Sequence, residues 1–193
     1  MPEAVDHRGD SGVNENDRWL AGLQRVDPVA YETLVSRFEG PLYRYFLASH
    51  GDPQLAGEQS TDCFGELVQA LPKMAGGPEQ LRPFVFAVAR NVLRRRWRRN
   101  NTKPAPLEAA GELVYLGPSP DASAEHRDEV NRLFEALDEL DLETREVFVL
   151  RYVEQLSLAE VAKIVGEPLG TVKSRVYRGR QRLNALLRTT EKP

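Results

Sequence analysis

Two clusters of basic side chains carry the chemistry legible in this sequence. Lys173, Ser174, Tyr177, Arg178 and Arg180 crowd one short stretch near the end of the chain, with Thr171 and Arg175 among them. Lysine and arginine neutralise phosphates and donate to guanine edges, and serine donates or accepts at base or phosphate. Earlier, Arg90, Arg94 and Arg98 recur at i, i+4, i+8, and Asn91, Arg95 and Arg99 form the adjacent row. Like charges four residues apart oppose a helix by a few tenths of a kcal/mol per pair, so such a row answers to an external anion. Asn91 is neutral amid the arginines and can pair with a base edge or an exposed base. A solvated arginine face, with Asn91 incidental, is the plainer alternative.

The formal net charge is -3, which by itself argues against nucleic acid, but the charge is blocked along the chain. Leu81 to Lys103 holds eight basic residues and no acidic one, and Pro168 to Pro193 seven basic against one Glu. Pro104 to Glu167 carries fifteen acidic residues against five basic. Two basic islands are thus separated by an acidic segment, and binding responds to the islands.

The elements that position these islands read as helices. Asp27-Pro28 is an N-cap followed by a first-turn proline, and Tyr31, Leu34, Val35 and Phe38 share one face. Gly40-Pro41 predicts an interruption, after which Leu42, Tyr45 and Phe46 continue the apolar stripe to a turn at Gly51-Asp52-Pro53. A third helix carries Phe64, Leu67, Val68 and Leu71, closed by Pro72 and Gly76-Gly77-Pro78. Pro83 opens a fourth, with apolar rows Phe84, Val88, Val92 and Val85, Ala89, Leu93, Trp97. Trp97 and Cys63 read as core residues.

Residues 1–16 are polar without apolar period and read as a disordered tail; 101–124 hold four prolines and two glycines and read as a flexible linker. That divides the chain into helical domains at 17–100 and 125–193. The second begins with Val130, Leu133, Phe134, Leu137 and Leu140, and Asp141 caps a helix bearing Val147, Phe148, Leu150, Tyr152 and Val153. Ser157-Leu158-Ala159-Glu160 matches the capping box, Gly166 stands where a left-handed C-cap belongs, and Pro168 opens a last helix with Val172, Val176, Leu183 and Leu187 inward. A capped short helix, a tight turn and a basic second helix make a helix-turn-helix. No strand-length alternation appears, so the predicted fold class is all-α: two small helical domains joined by a flexible linker.

Other function classes find no support. No apolar run approaches the roughly 20 residues of a membrane helix, and no secretory signal opens the chain, so a cytoplasmic protein is expected. One cysteine makes no internal disulfide, and His7, His50 and His126 stand too far apart for a metal site. No glycine-rich phosphate loop or nucleophile-base pair is present, so neither catalysis nor a cofactor is expected. The remaining readings are a DNA-binding protein or, through the arginine run, an RNA-binding one.

Leu-Arg-Pro-Phe-Val-Phe-Ala-Val-Ala-Arg-Asn from Leu81 to Asn91, with the arginines after it, resembles the DNA-contacting helix of the extracytoplasmic-function sigma factors of bacterial RNA polymerase. The stretches Leu150 to Ala162 and Gly170 to Arg180 resemble their second conserved domain. The resemblance implies a transcription initiation factor whose first domain docks on the polymerase large-subunit clamp and reads the minus-ten element. Its second domain, near the flap, would read the minus-thirty-five element. It places Arg90, Asn91, Arg94, Arg95 and Arg98 on the minus-ten side, Asn91 near a captured base, and the loop from Leu71 to Gln80 around that base. Lys173, Ser174, Tyr177 and Arg178 would face the upstream element, with Thr171, Arg175 and Arg180 on phosphates. Polymerase contacts fall on Glu58, Asp62 and Phe64, although Glu58 to Phe64 lacks the apolar pair usual there, and Glu167 replaces a usually apolar residue of the recognition turn. The linker would run through the polymerase interior, its acidity compatible with nucleic-acid mimicry. An anti-sigma factor is a further partner the family admits. The rival reading is a helix-turn-helix regulator that binds duplex DNA without polymerase.

Overall fold

The computed structural model of the chain describes residues 14–100, 137 and 139–190, the side chains at 97, 99, 100 and 186–190 excepted. Among the described residues seven α-helices follow one another: α1 Glu15–Gln24, α2 Pro28–His50, α3 Pro53–Ala70, α4 Leu81–Asn100, α5 Leu142–Phe148, α6 Leu158–Val165 and α7 Leu169–Thr190. Short 3-10 turns at Leu71–Lys73 and Pro78–Gln80 join α3 to α4, and no strand occurs among the described residues. The predicted linker, the helix start near Glu125 and the boundaries drawn through them lie outside the described residues, as do the readings of the Trp97, Arg99 and Leu187 side chains.

Caps set the helix starts. The Asp27 carboxylate accepts from the amides of Val29 (2.9 Å) and Ala30 (3.2 Å), with Pro28 in the first turn, and Asp52 accepts from Leu55 (3.1 Å), with Pro53 in the equivalent place. Between them Gly51 ends α2 at φ 72°, where a side chain would strain the backbone.

Four features differ from the sequence expectation. α1 lies in a stretch given no helix, beginning inside the predicted tail; Asn14 caps it, and Leu20 and Leu23 bury against the rest of the fold. The helix containing Pro41 is continuous from Pro28 to His50. An internal proline costs about 3 kcal/mol in a helix, and here one unbroken face burying Phe38, Leu42, Tyr45 and Phe46 offsets it. The buried face of α3 is Ala56, Ser60, Cys63 and Leu67, which leaves Phe64 at the edge and Val68 exposed. α4 starts at Leu81, two residues before Pro83.

The two predicted domains share one apolar core, which runs from Leu20 and Leu23 through Phe46 and Phe86 to Leu150, Val161 and Val172. α4 packs on α2 and α3 and also on α6. That double contact explains why Phe86, outside both predicted apolar rows, is fully buried. At its centre Tyr45 meets Phe46 and Phe86 edge-on, with ring centroids 5.4 and 5.7 Å apart.

Cys63 is fully buried, as its sequence context predicts, and burial pushes its thiol up to about 12. Only the thiolate reacts. At pH 8 the native protein is therefore expected to react with an aromatic disulfide reagent on the order of a thousandfold more slowly than the denatured chain. Comparable rates in the two states would mean that α3 opens readily around Cys63.

Candidate nucleic-acid interface

The helix-turn-helix is assembled by its caps. Ser157 Oγ accepts from the Glu160 amide (3.2 Å) and Glu160 Oε2 accepts from the Ser157 amide (2.7 Å), which completes the capping box. Gly166 takes the left-handed conformation at φ 68°, and the Glu167 amide closes the turn on the Ala162 carbonyl at 3.1 Å. Upstream, Asp141 caps α5 through the Thr144 amide and hydroxyl, at 3.0 and 2.7 Å. Burial acts to raise the Asp141 carboxyl, but the Thr144 bonds and the charges of Arg175 and Arg178 outweigh it and hold the group below its ordinary range. After Phe148 the helix widens to π-type bonding over Val149–Val153.

On α7, positions 172, 175, 176, 179 and 183 share one side of a helix with 3.6 residues per turn. Val172, Gly179 and Leu183 are buried there. Lys173, Ser174, Tyr177, Arg178 and Arg180 lie on the opposite, exposed arc, and Thr171 at its margin is partly buried. Tyr177 is 65% exposed, an outward aromatic with no core to fill. The Ser174 hydroxyl donates to the Gly170 carbonyl at 3.0 Å, so its lone pairs remain for an incoming donor.

Arg175 belongs to the other side. Its guanidinium grips Glu167 with two bonds, Nε at 3.0 Å and Nη2 at 2.9 Å, and also pairs with Glu143 and Asp141. Its side chain is 13% exposed. The predicted phosphate ligand is thus an internal clamp in this structure, tying the recognition turn to the start of α5. Glu167, unusual by sequence, is the partner that makes the clamp bidentate.

Along α4, Asn91, Arg94 and Arg98 are exposed and form a row open to solvent. Arg95 is half-exposed and pairs with Glu66, and Arg96 pairs with Glu58 at 3.6 Å. Arg90 is turned away: its Nε donates to Glu146 Oε1 of α5 at 3.0 Å, and the same oxygen accepts from the Tyr45 hydroxyl at 2.7 Å. Of the segment predicted to meet polymerase, Glu58 and Asp62 are exposed and Phe64 is partly buried. Phe64 borders a shallow apolar groove between α2 and α3 with Pro28, Tyr31, Val35 and Val68.

Sequence reasoning missed the carboxylates facing these arginines. Glu154 is fully buried, and its two oxygens take Arg82 Nη2 at 2.7 Å and Arg44 Nη2 at 3.4 Å, while Arg82 Nε also donates to its carbonyl at 3.1 Å. Burial raises the Glu154 carboxyl, against the pull of both arginines. Glu146 and Glu154 sit among apolar residues in a strongly acidic segment; an acidic side chain on a buried helix face was the available signal.

Comparison with known proteins places this architecture. The sigma-70 region 4 family matches residues 131–183, the part that contains the helix-turn-helix. The ECF RNA polymerase sigma factor SigW of Bacillus subtilis is 35% identical over 82 residues, 42% of this chain and 44% of SigW, so the chain spans less than half of that relative. The RNA polymerase sigma-H factor of Pseudomonas aeruginosa is 26% identical over 184 residues, 91% of this chain and 95% of the relative. Among solved structures, the sigma factor RpoE of Bartonella quintana, crystallised with the anti-sigma factor NepR, superposes with a TM-score of 0.62 at 22% identity, over 82% of this chain and 96% of that one, a likeness of fold. The region 4 match covers the helix-turn-helix and the similarity to sigma-H runs along nearly the whole chain, so the chain is similar to RNA polymerase sigma factors, the ECF factor SigW among them.

Proposed function

We propose that this chain is a sigma factor that binds core RNA polymerase and directs initiation at specific promoters, acting by binding and not by catalysis. The carrying observation is the exposed arc of Lys173, Ser174, Tyr177, Arg178 and Arg180 behind a fully capped helix-turn-helix. Its residue types suit major-groove readout of the minus-thirty-five element. Asn91, Arg94 and Arg98 along α4 suit the single-stranded minus-ten element, with Arg95 beside them. Core polymerase would seat its clamp on the apolar groove of Tyr31, Val35, Phe64 and Val68, with the exposed Glu58 and Asp62 of α3 as further contacts. An anti-sigma factor is a further partner, by analogy with RpoE and NepR. No described helix is long and apolar enough to cross a membrane, and a cytoplasmic site of action fits the proposed role.

The direct test adds the purified full chain to core polymerase with a genomic fragment library and maps transcript starts. Initiation clustered at a shared promoter motif is expected; no affinity for core would leave only a helix-turn-helix DNA binder.

Within this reading Arg178 and Arg175 separate. Arg178→Ala is expected to weaken binding at the upstream element by about 1–3 kcal/mol while leaving the denaturation midpoint in place. Arg175→Ala strips three carboxylates of their cation and is expected to lower that midpoint, leaving the salt dependence of DNA binding unchanged. A salt slope reduced by about one in Arg175→Ala would return it to the phosphate ligands.

A further inference from the structure

Three arginines outside both DNA-facing rows line one hollow. Its volume is about 750 Å³, and Arg37, Arg44 and Arg82 bound it together with Glu39, Glu154 and Gln155. Arg82 donates to Glu154 through Nε and Nη2, at 3.1 and 2.7 Å, and Arg44 pairs with the same carboxylate at 3.4 Å. Glu154 is fully buried, so it anchors both guanidinium groups from the protein side, while 42% of the Arg82 side chain and 25% of that of Arg44 still meet water. One carboxylate thus fixes two cations at the wall, an arrangement already organised for a phosphate. Arg37 and Arg82 also line a second hollow, of about 670 Å³, with Asn16, Asp17, Trp19 and Glu79. The two spaces therefore adjoin at this pair of arginines.

Each space suits a different part of one ligand. In the second, Arg37 Cζ lies 4.3 Å from the centroid of the Trp19 ring, and the indole N–H donates to the Ala30 carbonyl at 3.0 Å, which fixes the ring. Arg37 is exposed, so its guanidinium rests one face on the indole and offers the other to a base, on which such planes stack. Asp17 and Glu79 are exposed beside it and accept from sugar hydroxyls or ring amines. In the first, Arg44 and Arg82 meet phosphate oxygens. Pro41 on the same wall brings no amide to the Arg37 carbonyl four residues back, which leaves that acceptor without its helical partner. Gln155 lines this hollow in the left-handed conformation at φ 56°, a strained geometry of the kind that collects at ligand sites. A bare anion would use the arginines alone and be repelled by Glu39. Hydroxyl and amine donors turn Glu39, Asp17 and Glu79 into partners.

We propose that the adjoining hollows form a binding site for a nucleoside diphosphate, its base against Arg37, its sugar hydroxyls on the carboxylates of Asp17 and Glu79, and its phosphates on Arg44 and Arg82. Both volumes lie within the roughly 300–1,000 Å³ of small-molecule sites. The site shares no residue with the exposed arcs of α4 and α7. Two adjacent phosphates also distinguish a free nucleotide from a nucleic-acid strand, in which a sugar separates each phosphate from the next. Binding here is a property of the chain alone and does not depend on its role at a promoter.

The test is calorimetric titration of the full chain with ADP and with GDP at about 0.15 M salt. Saturable one-to-one binding of at least one of them is expected, with a dissociation constant below about 0.1 mM. Pyrophosphate and the matching nucleoside alone should each bind at least tenfold more weakly, and saturation with the nucleotide should raise the melting temperature by several degrees. Arg37→Gln is expected to weaken the nucleotide at least tenfold while leaving the melting temperature of the free chain in place, because the residue is exposed. Arg37→Lys keeps the charge and loses the plane, so nucleotide affinity should fall while the weak binding of pyrophosphate persists. Arg94→Gln/Arg98→Gln, on the DNA-facing row, should change neither. Failure of both nucleotides to bind at that level overturns the site, as does full affinity in Arg37→Gln. Pyrophosphate binding as tightly as the nucleotides would reduce it to an anion patch. Loss of binding in Arg94→Gln/Arg98→Gln would place the nucleotide on the nucleic-acid face and overturn the site equally.

Discussion

Phe86→Ala is expected to lower the unfolding free energy by about 3–5 kcal/mol, the range for deleting a buried phenyl ring. The ring is fully buried, Tyr45 meets it edge-on at 5.7 Å, and Arg82 lies over it at 5.6 Å. Its removal opens a cavity at the junction of α2 and α4 and loosens both the Tyr45 hydroxyl that Glu146 accepts from and the Arg82 guanidinium that Glu154 binds. Phe86→Leu keeps most of the volume and should cost well under half as much. Urea denaturation followed by far-ultraviolet dichroism checks both. The expected pattern is a large fall in midpoint for Ala, a small one for Leu, and loss of nucleic-acid binding in step with unfolding. A loss under about 1 kcal/mol for Ala would show that the two halves do not share a core at this point.

Phe86 also shows where sequence reading stopped. Periodicity found the two rows of α4 that pack on α2 and α3, because a single buried face leaves a 3.6-residue signature. A helix covered from two sides leaves none, and the covering element here comes from a segment dozens of residues later. Long-range docking of one half on the other has no local signal. The buried role of Glu146 and Glu154 was therefore hidden although their identities were plain, and Arg90 was read with Arg94 and Arg98 when its partner lies on α5.

What local chemistry dictates was legible. Asp141, Ser157 with Glu160, Gly166 and the proline after it marked the helix-turn-helix to the residue, because caps are satisfied within a few positions. The exposed arc from Lys173 to Arg180 followed from the same register. Arg175 was misplaced by its charge, since the wheel position already put it beside Val172 and Gly179. Pro41 was misjudged for the opposite reason: its local cost is real, and only the continuous burial of Phe38 through Phe46 outweighs it. α1 was lost because half of its ten residues are polar and its two buried leucines make too short a stripe to count as periodic.

Gly179 completes the recognition helix and was passed over because glycine inside a helix reads only as a weakness. A Cβ added there would meet Phe148 and Thr144 at 3.0 Å, and both are buried, so they must give by a few tenths of an ångström to admit it. α7 crosses α5 at this point with no room between them, one turn beyond the Arg175 clamp. Gly179→Ala balances a helix-propensity gain of up to about 1 kcal/mol against that close contact and is expected to be nearly neutral. Gly179→Leu cannot be absorbed. Overpacking of about 1–3 kcal/mol is expected, relieved by tilting α7 off α5 and carrying Lys173, Tyr177 and Arg178 away from their register with α6. Affinity for duplex promoter DNA should fall at least tenfold in Gly179→Leu at temperatures where the protein remains folded, while single-stranded binding along α4 persists. Gel-shift titration of both probes, alongside thermal melts, distinguishes this from unfolding. Equal loss on both probes would mean that Gly179 serves stability alone, and full duplex affinity would mean that α7 reads DNA without being seated on α5.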